Sequence, residues 1–129
     1  MKPEQPNLPS RLSREAGTVN IVLVSQAGCP FCRIVRENYL IPLVATRLPE
    51  VQVAEVELAN PGVMQGWSGE ATTQAGFARH YEVRFAPTVL FLDGGGKEIA
   101  DRIVGLSNDY FGAYLEAAIV KAHAQVTAR

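Results

Sequence analysis

The sequence predicts an α/β fold, a mixed central sheet with helices on both faces. Three observations lead there. Two strand-sized apolar runs, TVNIVLVS at 18–25 and VQVAEVEL at 51–58, flank a stretch of helical spacing, which makes them a parallel pair with a crossover helix. Two further runs, 88–92 and 98–104, are joined by Asp93-Gly94-Gly95-Gly96-Lys97, a hairpin composition that makes them antiparallel. A final segment with an apolar stripe closes the chain as a helix.

Each element has its own warrant. Residues 1–9 carry Pro3, Pro6 and Pro9 and few apolar side chains, so they read as an extended, frayed lead-in rather than a signal peptide. An initial Met could also follow removal of a leader, so this end does not reveal the compartment. A short helix can form over 10–16, ended by Gly17, which takes positive φ at no steric cost. Residues 1–17 are therefore set apart as an extension, and 18–126 as the domain. The run at 18–25 is β-branched on both faces, as expected of a buried parallel strand. Gln26-Ala27-Gly28 delivers Cys29 to the start of a helix, in which Phe31, Ile34, Val35, Tyr39 and Leu40 form the apolar side and Arg33, Arg36 and Glu37 the polar one. Pro42 should kink or interrupt that helix. Residues 60–69 are a Gly-rich excursion around Trp67 with no strong period, and Trp67 reads as packing rather than a binding platform. Residues 72–81 form a short helix capped by Thr72 or Thr73. Ser107 or Asn108 caps the final helix, whose apolar face is Phe111, Tyr114, Leu115, Ala118, Ile119 and Ala122.

Composition bounds the function classes. The chain has 129 residues, 47% hydrophobic and 19% charged, with 12 Lys and Arg against 13 Asp and Glu. It is long enough to bury a core without staples and too apolar to be disordered. It lacks the clustered cations that phosphate recognition needs, so no nucleic-acid partner is expected. No run approaches the roughly 18 to 20 apolar residues of a membrane helix, so no membrane span is expected.

The chemistry concentrates at Cys29 and Cys32, the only two cysteines. A bond between them closes too small a loop to restrain the unfolded chain, so the pair is a poor staple. A structural zinc site needs four ligands, and only His80 and His123, in no paired motif, could complete one. Neither a metal nor a cofactor is expected. Redox chemistry fits better. A helix start stabilises the Cys29 thiolate, Pro30 suits the first turn, and Cys32 lies on the same side within reach of the first sulfur. Phe31 is either a hydrophobic rim for clients or a packing residue. Arg33 and Arg36 could favour the thiolate, but a solvated helix face is the simpler reading.

Three landmarks in order carry a resemblance: Gly28-Cys29-Pro30-Phe31-Cys32, then Ala86-Pro87-Thr88 before a strand, then Ile103-Val104-Gly105-Leu106-Ser107 before the last helix. Together they resemble the thioredoxin family over most of 18–122. The resemblance implies a thioredoxin fold, with Cys29 the exposed nucleophile and Cys32 the shielded resolving thiol. It also implies a cis Pro87 whose loop faces the dithiol, with Ala86 backbone groups pairing with a client strand. Thr88 reads as a structural strand residue beside that loop. Thioredoxin itself has Trp-Cys-Gly-Pro-Cys, so Gly28 and the Pro30-Phe31 pair are departures. So is Leu23, which stands where the family keeps a buried acid. Glu55 aligns roughly with a family lysine near the inner cysteine. It is either a stand-in proton acceptor for Cys32 or a strand-face glutamate reaching solvent.

The CPFCR start, the helix running on to Pro42 and the excursion around Trp67 resemble bacterial periplasmic thioredoxin-like proteins, including those of sulfur-oxidation operons. The implied activity is thiol-disulfide oxidoreduction, chiefly reduction of protein disulfides. Its partners are a client protein with a disulfide or thiol and an upstream thiol-disulfide electron donor. A monomer in the periplasm is expected, with the cytoplasm as alternative. A glutaredoxin-like, oxidase or isomerase role, or a redox-inactive binding module on the same scaffold, are the competing readings.

Overall fold

The computed structural model describes residues 7–46, 50–106 and 110–128. Its centre is β1 (Val19–Ser25), flanked by β2 (Val51–Glu57) in parallel and by β5 (Thr88–Leu92) antiparallel. The second hairpin strand, β6 (Glu98–Val104), pairs antiparallel with β5 and gives the order β2-β1-β5-β6. The mixed sheet expected from the two kinds of connection is the one observed. Its two faces bury separate clusters. Val19, Ile21, Leu23, Val53, Val89 and Phe91 pack against Val35, Leu40, Phe111 and Leu115. Val22, Val24, Ala54, Val56, Leu90 and Leu92 pack against Phe77, Ala78 and Tyr81. Every residue of β1 is buried, because helices cover both sides.

The first face is covered by the segment after the cysteines and by the last helix. From Pro30 the chain runs as α1 (Pro30–Ile34), a π-helical stretch over Val35–Leu40, and α2 (Ile41–Ala45). The regular α-helical pattern is interrupted just ahead of Pro42, in line with the expected kink or interruption, and Pro42 falls in the first turn of α2. The Ile41 N–H reaches back five residues to the Arg36 carbonyl. That wider turn relieves the crowding between a proline ring and the preceding turn, so the helix continues. The last helix, numbered α4 (Phe111–Thr127), buries Phe111, Leu115, Ala122 and Val126. The cap expected at Ser107 or Asn108 lies outside the described residues. The opposite face carries α3 (Gln74–His80), capped by Thr73, whose hydroxyl accepts from Gly76 N at 2.9 Å.

Two segments depart from the sequence reading. Residues 10–16 form no helix. Polar groups of this segment and of Pro9 before it serve the sheet instead: Glu55 N donates to Pro9 O, and Ser10 Oγ donates to Glu55 O, covering the outer edge of β2. Asn20 takes both backbone groups of Ser13, accepting from its N–H at 2.7 Å and donating to its carbonyl at 2.9 Å. So short a helix has little intrinsic stability to set against these bonds. The lead-in from Asn7 onward is thus tied down rather than frayed. Gly94 belongs to the same contact, since a Cβ there would collide with the Glu15 carbonyl.

The excursion also carries structure, a hairpin of β3 (Val63–Gln65) with β4 (Ala71–Thr73). Strands this short have too few residues to show a period. Trp67 between them packs as expected, beside Phe77 with ring centroids 6.2 Å apart. Its indole N–H donates to the Tyr81 hydroxyl at 2.8 Å, and that hydroxyl donates to the Gly96 carbonyl at 2.5 Å. Burial, opposed by the Trp67 hydrogen bond and reinforced by Glu98 and Asp93, pushes the Tyr81 hydroxyl up to about 12.

Candidate active site

Sheet register brings three loops to one end of the molecule. Thr88, the first residue of β5, pairs with Val24 near the end of β1 and with Val104 at the end of β6. The loop leaving β1, the loop entering β5 and the turn leaving β6 therefore meet there.

The loop leaving β1 turns at Gly28, with φ of 74°, and places Cys29 as the N-cap of α1. The Cys29 sulfur accepts from Cys32 N at 3.1 Å, so it occupies the anion-favouring position that helix starts provide. Pro30 takes the first helical position, where its missing N–H costs nothing. Cys29 and Cys32 are joined in a disulfide with Cα atoms 5.3 Å apart, within the usual span. Their environments differ sharply. Cys29 is partly open to solvent, whereas Cys32 is only 1% exposed. Phe31 between them is 56% exposed and so is not a core residue.

The loop entering β5 contains a cis Ala86–Pro87 bond. It is braced on both sides: Thr88 Oγ1 donates to Phe85 O at 2.7 Å, and Gly105 N donates to Pro87 O at 2.8 Å. Ala86 lies between these two braced carbonyls. Thr88 is buried and holds the loop through that bond, a structural place. Phe85, which sequence reasoning passed over, is 70% exposed, and Val104 at the adjoining strand end is 58% exposed. Phe31 likewise is an exposed apolar side chain on the elements that meet at this end of the sheet. An aromatic residue two places before the proline, outside any strand, was the available signal.

Glu55 differs from both readings of the sequence. It stands opposite Leu23 in register, fully buried, and does not reach solvent. Its carboxylate is also fully engaged. Arg36 Nε donates to Oε1 at 2.7 Å and Arg36 Nη2 to Oε2 at 2.6 Å, while Leu8 N and Ser25 Oγ donate at 3.1 and 2.6 Å. Four donors use the acceptor sites a carboxylate has, so no open lone pair remains to take a proton from Cys32. Arg36 is corrected with it: it is buried, only 5% exposed, rather than on a solvated helix face. Arg33 does keep to the outer side, paired with Glu37 at 2.7 Å. The clue missed was that a glutamate in a buried strand demands a cation, and the facing helix offers Arg36.

The remaining titratable candidates lie elsewhere. His80 ends α3 with its ring edge-on to Tyr81 at 4.8 Å, and His123 is exposed on α4. Among the described residues no helix is long and apolar enough to cross a membrane.

Comparison with solved structures finds the same fold. A thioredoxin from Nicotiana alata superposes with a TM-score of 0.59 at 21% identity, covering 85% of this chain and 77% of its own. A thioredoxin from Fasciola hepatica gives 0.57 at 23% identity, covering 83% of each chain. Thioredoxin O2 from Arabidopsis thaliana, in its oxidised state, gives 0.55 at 18% identity, covering 81% of this chain and 74% of its own. No curated protein matches the sequence. Residues 11–119 match the thioredoxin-like domain family, which spans the sheet, the dithiol and most of α4. With a bonded Cys-x-x-Cys pair at the head of a helix on this sheet, the chain belongs to the thioredoxin-like family and carries its thiol-disulfide redox centre.

Proposed function

We propose that this protein reduces disulfides in client proteins, with Cys29 attacking and Cys32 resolving. The observation that carries the reading is the asymmetry of the pair: an accessible sulfur at a helix start bonded to a shielded one. In the reduced protein the Cys29 thiolate attacks a client disulfide. The client S–S bond breaks, a Cys29–client bond forms, and the displaced client sulfur leaves as a thiolate that takes up a proton. The Cys32 thiolate then attacks the Cys29 sulfur, closes the Cys29–Cys32 bond and releases the second client thiol. Two electrons pass to the client, and an upstream dithiol donor restores the reduced pair.

In this reading Phe31, Phe85 and Val104 give a client apolar contact, and Ala86 backbone groups pair with an extended client segment. The pattern of CPFCR and the excursion around Trp67 favours a bacterial periplasmic setting. The test is reduction of insulin disulfides with dithiothreitol as donor. Multiple turnover above the donor-only rate is expected. No acceleration with dithiothreitol, or with a dithiol protein as donor, would favour the binding-module reading instead.

A further inference from the structure

The buried pair of Arg36 and Glu55 has no role in the exchange steps above, yet Arg36 stands four residues after the resolving cysteine on the same helical run. Arg36 follows Cys32 by one helical turn, at a spacing that brings Cβ atoms to about 5–6 Å. Side chains on a helix lean toward its N-terminus, so the Arg36 stem runs back over the turn that carries Cys32. Glu55 meets the guanidinium from β2, and Ser25 and Leu8 hold its carboxylate there. The cation therefore comes from the cysteine's own helix, and the carboxylate from β2.

We propose that Arg36 is a positioning residue whose guanidinium stabilises the Cys32 thiolate during resolution, with Glu55 acting as its counterion and not as a proton acceptor. The proposal rests on Cys32 being the resolving thiol. A shielded thiol in apolar surroundings resists ionisation, and the family's acid is absent here because Leu23 occupies its place. A fixed positive charge one turn away offsets that penalty without accepting a proton. The proton then leaves to water or to the departing client thiolate.

The other titratable groups on the surrounding elements are engaged or exposed: Tyr39 packs on Phe111 with ring centroids 4.8 Å apart, and Arg84 ahead of the loop entering β5 is exposed. Cys29 is its redox partner, and Arg33 is paired outward with Glu37. Glu57, further along β2, is bound by Asn7 at 2.8 Å. β1 and β5 contribute no charged side chain. The titratable residues of α4, namely Tyr114, Glu116, Lys121 and His123, are all exposed. Those of β6, Glu98, Asp101 and Arg102, lie across the sheet, with Glu98 and Arg102 paired to each other.

The test is the titration of Cys32, followed by its Cβ chemical shift in a Cys29→Ser background, where it is the only thiol. No client is needed, so the result stands apart from any failure of disulfide reduction. Glu55→Gln removes the carboxylate's charge from beside the guanidinium and should move the midpoint down by about one pH unit. Arg36→Met with Glu55→Gln removes both charges at similar volume and should move it up by about as much. Arg36→Lys, which keeps the charge, should stay near the parent. Should Glu55→Gln alone not fold, the double variant against Arg36→Lys decides. Opposite shifts support the proposal. A midpoint unchanged in the double variant, or a fall on removing both charges, would overturn it and leave the pair a purely structural clasp.

Discussion

Cys29→Ser is expected to abolish disulfide reduction, with the initial rate on insulin falling ~10³-fold or more to the donor-only background. The size of the effect follows from the geometry. Cys32 is 1% exposed and cannot meet a client sulfur, so no second thiol can substitute for the first. Nothing else changes much: serine at an N-cap accepts from the first turn as the Cys29 sulfur accepts from Cys32 N. The variant should therefore fold and bind as the parent does while failing only in exchange. The check is the initial rate alongside a thermal melt. A folded Cys29→Ser protein that still turned over would place the chemistry elsewhere.

The second large effect falls on stability. Arg36→Met alone strands the Glu55 carboxylate in the interior, and breaking a buried pair in this way costs about 3–5 kcal/mol. Leu8 N and Ser25 Oγ still donate to the carboxylate, but neither carries a charge. Adding Glu55→Gln should recover most of the loss, because the amide oxygen can accept from Leu8 N while its NH2 donates to the Ser25 hydroxyl, and the amide needs no counter-charge. Arg33→Met is the matched control. Its pair with Glu37 is a surface contact one turn apart, worth about 0.5 kcal/mol or less. Denaturant midpoints for the four proteins give the comparison. Equal midpoints for Arg36→Met and Arg33→Met would mean the buried pair contributes nothing to the fold.

What the sequence made legible follows from the physics of each element. Both kinds of strand connection were readable, because a crossover helix and a Gly-rich two-strand turn each permit one pairing direction, and β1, β2, β5 and β6 follow them. The dithiol was readable because its spacing, its helix start and its proline are all local. Two failures, at residues 10–16 and at Arg36, originate in contacts between distant parts of the chain. Residues 10–16 have a helix-compatible composition, but the open edge of β2 and the side chain of Asn20 compete for their backbone. Pro42 reads as a kink or interruption, and the π-helical turn ahead of it is the form the interruption takes. Arg36 sits in a run of polar residues and reads as solvated, and only the fold shows Glu55 arriving from β2 to bury it. The Gly-rich excursion hid a hairpin whose strands are three residues each.

The most direct test of the thiol-disulfide mechanism is the intact mass of reduced Cys32→Ser protein after incubation with a disulfide-containing client. Without the resolving thiol the exchange should halt at its midpoint. The expected spectrum shows one client molecule joined to the protein through Cys29, stable until dithiothreitol is added. Free protein with an untouched client, under conditions where the parent oxidises its own dithiol, would contradict attack by Cys29.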